Sequence, residues 1–148
     1  MPRLNLSKTS AEGYRAVYGL EKFSSEHVES EIYHLIKLRS SQLNGCAFCV
    51  DMHGSQMLES GVPFRKINSV AAWREVGWFS DRERAALELA EQVTLLPGGV
   101  PDDVWNAAAE VFDETELANL LIAIATINVW NRLMVSTQAE PNPPALAG

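Results

Sequence analysis

Apolar residues recur along this chain at spacings of three, four and seven, and nowhere alternate with polar ones over a run long enough for a strand. The pattern predicts an all-α fold of about seven helices. Near 26–43, Val28, Ile32, Leu35, Ile36 and Leu43 form one stripe, with Glu29, Lys37 and Ser41 elsewhere around the helix. Thr9 with Glu12 reads as a capping box for a first helix carrying Tyr14, Val17 and Tyr18. Gly61 fits the left-handed position after a helix, and Pro63 the first turn of the next, around Ile67, Val70 and Ala71. Ser80 with Glu83 is a second capping box, opening a helix with Ala86, Leu89, Ala90 and Val93 on one face and ending at Pro97-Gly98-Gly99. Pro101 starts a short helix bearing Val104, Ala108 and Val111, and Asp113 with Glu116 caps the last one. That last helix is apolar nearly all round, which predicts a central, buried element. Its apolar stretch, 117–130, is short for a membrane span and contains Thr126 and Asn128. Pro141-Asn142-Pro143-Pro144 cannot continue it, so residues 1–140 read as one domain and 141–148 as a flexible tail.

Composition fits a single full core: 148 residues, 47% hydrophobic, enough to bury roughly two-thirds of the unfolded surface. The net charge of −7, with scattered Lys and Arg, argues against nucleic acid or an anionic membrane as partner. The amino-terminal residues lack the long apolar stretch of a signal peptide, so a reducing cytoplasm is expected.

The chain has two cysteines, and they sit together in Gly45-Cys46-Ala47-Phe48-Cys49-Val50-Asp51-Met52-His53. On a helix, these spacings put Cys46, Cys49 and His53 on one face, and the face continues through Val50 to Met57, predicting thiols on the packed side. Asn44 reads as the N-cap, placing Cys46 in a first turn that favours thiolate. His53 lies one turn from Cys49 and can take its proton, whereas helix position alone favours Cys46 as the nucleophile. In a reducing compartment such a pair is catalytic or metal-binding. Zinc would need Cys46, Cys49, His53 and His34, but structural zinc pairs sit on turns and the second pair has its own short spacing. His27 reads as a solvated or capping residue, and His34, beside the amphipathic stripe, as packing or chemistry. The four tryptophans, Trp73, Trp78, Trp105 and Trp130, read as core or interface anchors. Asn128, Asn131 and Arg132 read as a structural bracket, with a pocket lining as the second reading.

The run from Lys37 to His53, with Met1-Pro2-Arg3-Leu4, Ala71-Ala72-Trp73-Arg74, Asp81-Arg82-Glu83-Arg84-Ala85-Ala86-Leu87 and Thr126-Ile127-Asn128-Val129-Trp130-Asn131-Arg132, resembles the alkylhydroperoxidase AhpD-like proteins of the carboxymuconolactone decarboxylase superfamily, over nearly the whole chain. The resemblance implies a helical bundle assembled as homo-trimers or hexamers. It also implies a peroxidase that reduces organic hydroperoxides without metal or cofactor and is recycled by a dithiol reductant of protein or lipoyl type. It assigns Cys49 as the attacking thiolate, Cys46 as the resolving thiol and His53 as base or proton relay. The family motif usually carries a glutamate twelve residues before the first cysteine, where this chain has His34. That makes His34 a candidate catalytic residue, with Glu31 one turn earlier to lend it charge, and leads to the expectation that His34→Glu raises thiol reactivity. Phe48 stands where founding members have a histidine between the cysteines. The alternatives are a non-peroxidase, decarboxylase-like enzyme on the same scaffold, although that branch does not use a CxxC, and a metal-binding or redox-sensing dithiol module.

Overall fold

A computed structural model describes residues 2–144, which form eight α-helices and one 3-10 segment, with no strand among them. The helices are α1 (Leu6–Thr9), α2 (Ala11–His27), α3 (Ser30–Leu43), α4 (Ala47–Glu59), α5 (Phe64–Ser69), α6 (Asp81–Leu95), α7 (Asp102–Val111) and α8 (Glu114–Thr137); the 3-10 segment, Val70–Glu75, follows α5. Both Ser80–Glu83 and Asp113–Glu116 form reciprocal capping boxes, so the starts of α6 and α8 follow directly from sequence. The Thr9–Glu12 box does not form. Thr9 instead closes α1, whose N-cap Asn5 accepts from the Lys8 amide, and Ser10 precedes α2. α3 begins at Ser30, not near 26: His27 closes α2, its Nδ1 2.8 Å from the Phe23 carbonyl and its ring stacked on Phe23. Gly61 takes the expected left-handed turn, at φ +87°.

α3 is the hub, packing against α4, α6 and α8. One side joins α6, α7 and α8 through Ile32, Ile36, Leu89, Phe112, Leu120 and Ile124. The other joins α4, α5 and the 3-10 segment through Leu35, Leu38, Met57, Val70 and Trp73. Each fully buried aliphatic side chain there contributes about 1.5–3 kcal/mol, so α3 is held from both sides. α8 is central but not enclosed. Leu117, Leu120, Ile124, Ile127 and Asn131 are buried, while Ile122, Val129 and Val135 are at the surface. Its uncovered side faces no other described helix of this chain.

α2 is the peripheral element: it lies along α8, meets α3 only briefly, and buries one residue, Ser24. It nonetheless forms one wall of the largest described cavity. Residues 139–144 follow α8 without regular structure, and the remainder of the expected 141–148 tail lies outside the described residues.

Candidate functional site

The CxxC lies at the junction of α3 and α4. Gly45 makes the turn at φ +64°, a conformation costly for residues with a Cβ, and Cys46 itself is the N-cap of α4. Asn44, expected in that role, instead closes α3 and donates to Asn128 and Asn131 Oδ1, at 2.9 Å each. The capping position is therefore occupied by sulfur. Cys46 Sγ makes no full capping hydrogen bond, but the Cys49 and Phe48 amides lie close enough to favour its charged form.

Both thiols are free and nearly sealed from solvent, at 2% and 1% exposure. They pack on Ile127 with Phe48, Trp130 and Met134 around them. The two differ in what they face. Cys49 lines a cavity of about 540 Å³, and Cys46 does not. The Cys49 thiol donates to Cys46, and with the helix amides and Asn131 this brings Cys46 down to about 6. The same hydrogen bond, with burial, pushes Cys49 up, opposed by Asn131 and the charge of Lys37. The pair thus loses one proton easily and holds the other between the sulfurs.

His53, one turn beyond Cys49 on the same face of α4, also lines the cavity and is 2% exposed. Burial, with the positive charge of Lys37, brings its imidazole down to about 4, so it is neutral near pH 7. Its Nδ1 lies 3.1 Å from Gln56 Oε1. With that oxygen accepting, the ring proton sits on Nδ1 and Nε2 keeps a lone pair.

Opposite the thiols stands a charged cluster that sequence reasoning missed. Glu21 of α2 forms an ion pair with Lys37 of α3, its Oε1 also accepting from Tyr33 OH and its Oε2 accepting from Trp130 Nε1 at 3.1 Å. Lys37 also donates to Tyr33 OH at 2.9 Å. Lys37 is 1% exposed, although its place off the apolar stripe of α3 predicted a solvated face. The ion pair is what allows the amine to be buried. Burial alone would raise the Glu21 carboxyl, but the Lys37 charge and the hydrogen bonds from Lys37 and Tyr33 hold it below the usual carboxylate range. The sequence carried one signal for Glu21: the Tyr14–Tyr18 face of α2 continues at helical spacing through Glu21 and Ser25, all lining the cavity. Trp130, expected to be an anchor without chemistry, lines the cavity and holds Glu21. Asn131 brackets as expected, donating to Ser41 at 3.0 Å, and also touches the thiols.

His34 does not line this cavity. It faces a second one, of about 380 Å³, with Glu31, Met57, Lys66 and Glu83. Its Nδ1 is buried without a hydrogen-bond partner, so Glu31 does not lend it a carboxylate through that atom. Burial, with Lys37 three residues on, lowers its pKa. The set proposed for zinc is not assembled, and no group of three or more His, Cys, Asp or Glu side chains suited to a metal ion occurs among the described residues.

A family model described as the carboxymuconolactone decarboxylase family matches residues 10–92, which span α2 to most of α6 and hold both cysteines, His53, Glu21 and Lys37. The chain belongs to this family. The uncharacterized protein YdfG of Bacillus subtilis is 37% identical over 136 residues, covering 90% of this chain and 92% of that protein. The crystal structure of a protein of unknown function from Agrobacterium tumefaciens, a candidate antioxidant-defence protein AhpD, matches with a TM-score of 0.92 and 38% identity, over 97% of this chain and all of that one. The debrominase Bmp8 shares the fold at a TM-score of 0.78 and 21% identity, over 86% of this chain and 69% of that one. One scaffold therefore carries different chemistries, and the residues around the thiols must decide among them.

Proposed function

We propose that this protein is a dithiol peroxidase that reduces organic hydroperoxides to alcohols. One observation carries the reading: Cys49 is the thiol that opens on the cavity, with a neutral histidine one turn away and the more acidic Cys46 behind it. The cavity mouth, with Tyr14, Tyr18, Phe48, Met52, Trp130 and Met134, suits the organic group of a hydroperoxide.

Cys49 passes its proton along their shared hydrogen bond to the Cys46 thiolate, and the resulting Cys49 thiolate attacks the terminal peroxide oxygen. The O–O bond breaks, the alkoxide leaves as alcohol on taking the Cys46 proton by way of His53, and Cys49 becomes a sulfenic acid while Cys46 is again a thiolate. Cys46 thiolate then attacks the Cys49 sulfur; hydroxide departs, takes a proton from solvent, and a Cys46–Cys49 disulfide remains. A dithiol reductant, of protein or lipoyl type, reopens it by exchange. Assembly as a homo-trimer or hexamer belongs to the same reading, supported by the uncovered apolar side of α8 at Ile122, Val129 and Val135.

Stopped-flow mixing of the reduced protein with an alkyl hydroperoxide tests this directly. Two thiols should be lost and one alcohol formed per chain. Thiol loss no faster than that of a free alkyl thiol would overturn it.

A further inference from the structure

We propose that Lys37 is the positioning charge that stabilises the Cys49 thiolate when it forms, and that Glu21 and Tyr33 hold it there. The proposal deepens the peroxidase reading, since it takes Cys49 as the attacking sulfur.

Three observations on geometry carry it. Lys37, Cys49 and His53 line the same cavity from α3 and α4, so the ammonium and the reacting sulfur face one space. Lys37 is 1% exposed, so water screens its charge poorly. Its other neighbours leave it no freedom to turn away: Glu21 Oε1 and Tyr33 OH both take its hydrogen bonds, and the ammonium lies over the Tyr33 ring at 4.4 Å. Burial lowers the Lys37 pKa, and the Glu21 carboxylate opposes that by its charge and hydrogen bond, favouring the ammonium.

The titratable groups facing Lys37 are Glu21 from α2, Tyr33 and His34 from α3, and Cys49 and His53 from α4; Trp130 and Asn131 of α8 add only neutral donors. Lys22 of α2 also lines the cavity, but its side chain is mostly exposed, so Lys37 is the one buried cation there, because His53 and His34 are both pushed toward the neutral form. A thiolate forming at Cys49 finds its counter-charge there. A carboxylate alone at this site would repel it. Glu21 acts instead through Lys37, by keeping the amine protonated and fixed.

The test titrates Cys49 as the sole thiol, in a Cys46→Ser background, by ultraviolet thiolate absorbance and by the pH profile of alkylation with iodoacetamide. Neither readout needs peroxide, so the result stands whether or not the protein proves to be a peroxidase. Removing the cation in Lys37→Met should move the midpoint up by about one pH unit, a tenfold loss of thiolate at fixed pH below it. The double variant Glu21→Gln/Lys37→Met removes the whole pair and leaves no uncompensated carboxylate; it should keep the raised midpoint. An unchanged midpoint in Lys37→Met overturns the proposal. So does a return to the parent value in the double variant, which would assign the shift to the stranded Glu21 carboxylate and not to the lost ammonium.

Discussion

Two carboxylates in this protein, Glu91 buried and Glu21 partly buried, have partners of nearly the same kinds. Glu91 of α6 accepts from Trp73 Nε1 at 2.8 Å, from Arg39 Nε at 2.8 Å, and pairs with Arg74 at 2.7 Å. Glu21 of α2 accepts from Trp130 Nε1, Lys37 and Tyr33. Each is a glutamate with an indole donor and a cation, and each is held below the usual carboxylate range against the opposing effect of burial. They differ in what lies beside them. The Glu91 cluster ties α3, α6 and the 3-10 segment together and lines none of the described cavities. The Glu21 cluster lies on a cavity with a thiol and a neutral imidazole. A buried ion pair is thus no sign of chemistry by itself; access and a reactive neighbour make it one.

The comparison breaks most readily at Glu91. Glu91→Gln strands Arg39 in a site where its side chain is 15% exposed and leaves the Trp73 indole a weaker acceptor. The expected cost is about 3 kcal/mol, the low end for breaking a buried pair because the half-exposed Arg74 can turn to water. Denaturant unfolding measures it. The thiolate midpoint of the folded variant should stay at the parent value, since Glu91 and its partners do not line the thiol cavity. A shifted midpoint would mean the two clusters are coupled through α3.

The unequal legibility of the two regions has a physical cause. Helix starts at Ser80 and Asp113, and the packed Cys49–His53–Met57 face of α4, depend on residues within one or two turns, and the sequence displayed them. The Thr9–Glu12 box failed because a capping signal competes with its neighbours, and Asn5 captured the turn first. Cys46 was read on the correct face but two positions too deep, because the Gly45 turn moved the cap from Asn44 to the cysteine. Glu21 and Lys37 were hidden for a different reason. They are sixteen residues apart on separate helices, and only the crossing of α2 over α3 brings them together. A charged residue off the apolar stripe looks solvated until its partner is seen.

A smaller effect separates the regions by pH. Folded His53 takes up its proton near 4, against an ordinary value of 6.5 that the unfolded chain recovers. Between those values the unfolded state binds more protons, so this contribution is complete above pH 6.5 and is lost as pH falls toward 4. It amounts to at most roughly 3.5 kcal/mol, at about 1.4 kcal/mol per unit. His34, also pushed down by burial, adds in the same direction. The Glu91 cluster contains no histidine, and its lowered carboxyl loses stability only at the bottom of that window, as pH falls through the ordinary carboxylate range. Thermal melts from pH 7 to pH 4.5 should therefore show a decline that is much flatter in His53→Gln. An equal decline in both proteins would place the acid-sensitive group elsewhere.

The smallest expected effect lies at His34. Its sequence position, twelve residues before Cys46, matches that of the family glutamate, and on that ground His34→Glu was expected to raise thiol reactivity. The structure turns the side chain to the second cavity, beside Glu31 and Glu83, while Glu21 supplies the carboxylate on the thiol side from another helix. A glutamate at 34 would also compete for Lys37 and confuse the result, so the cleaner change is His34→Gln, which keeps the size and hydrogen-bonding capacity and removes the titration. The imidazole is already disfavoured as a cation, so its loss removes little charge at neutral pH. The thiolate midpoint should move by less than about half a unit, against about one unit for Lys37→Met. A full-unit shift in His34→Gln would return His34 to the relay and make Lys37 its partner, not its replacement.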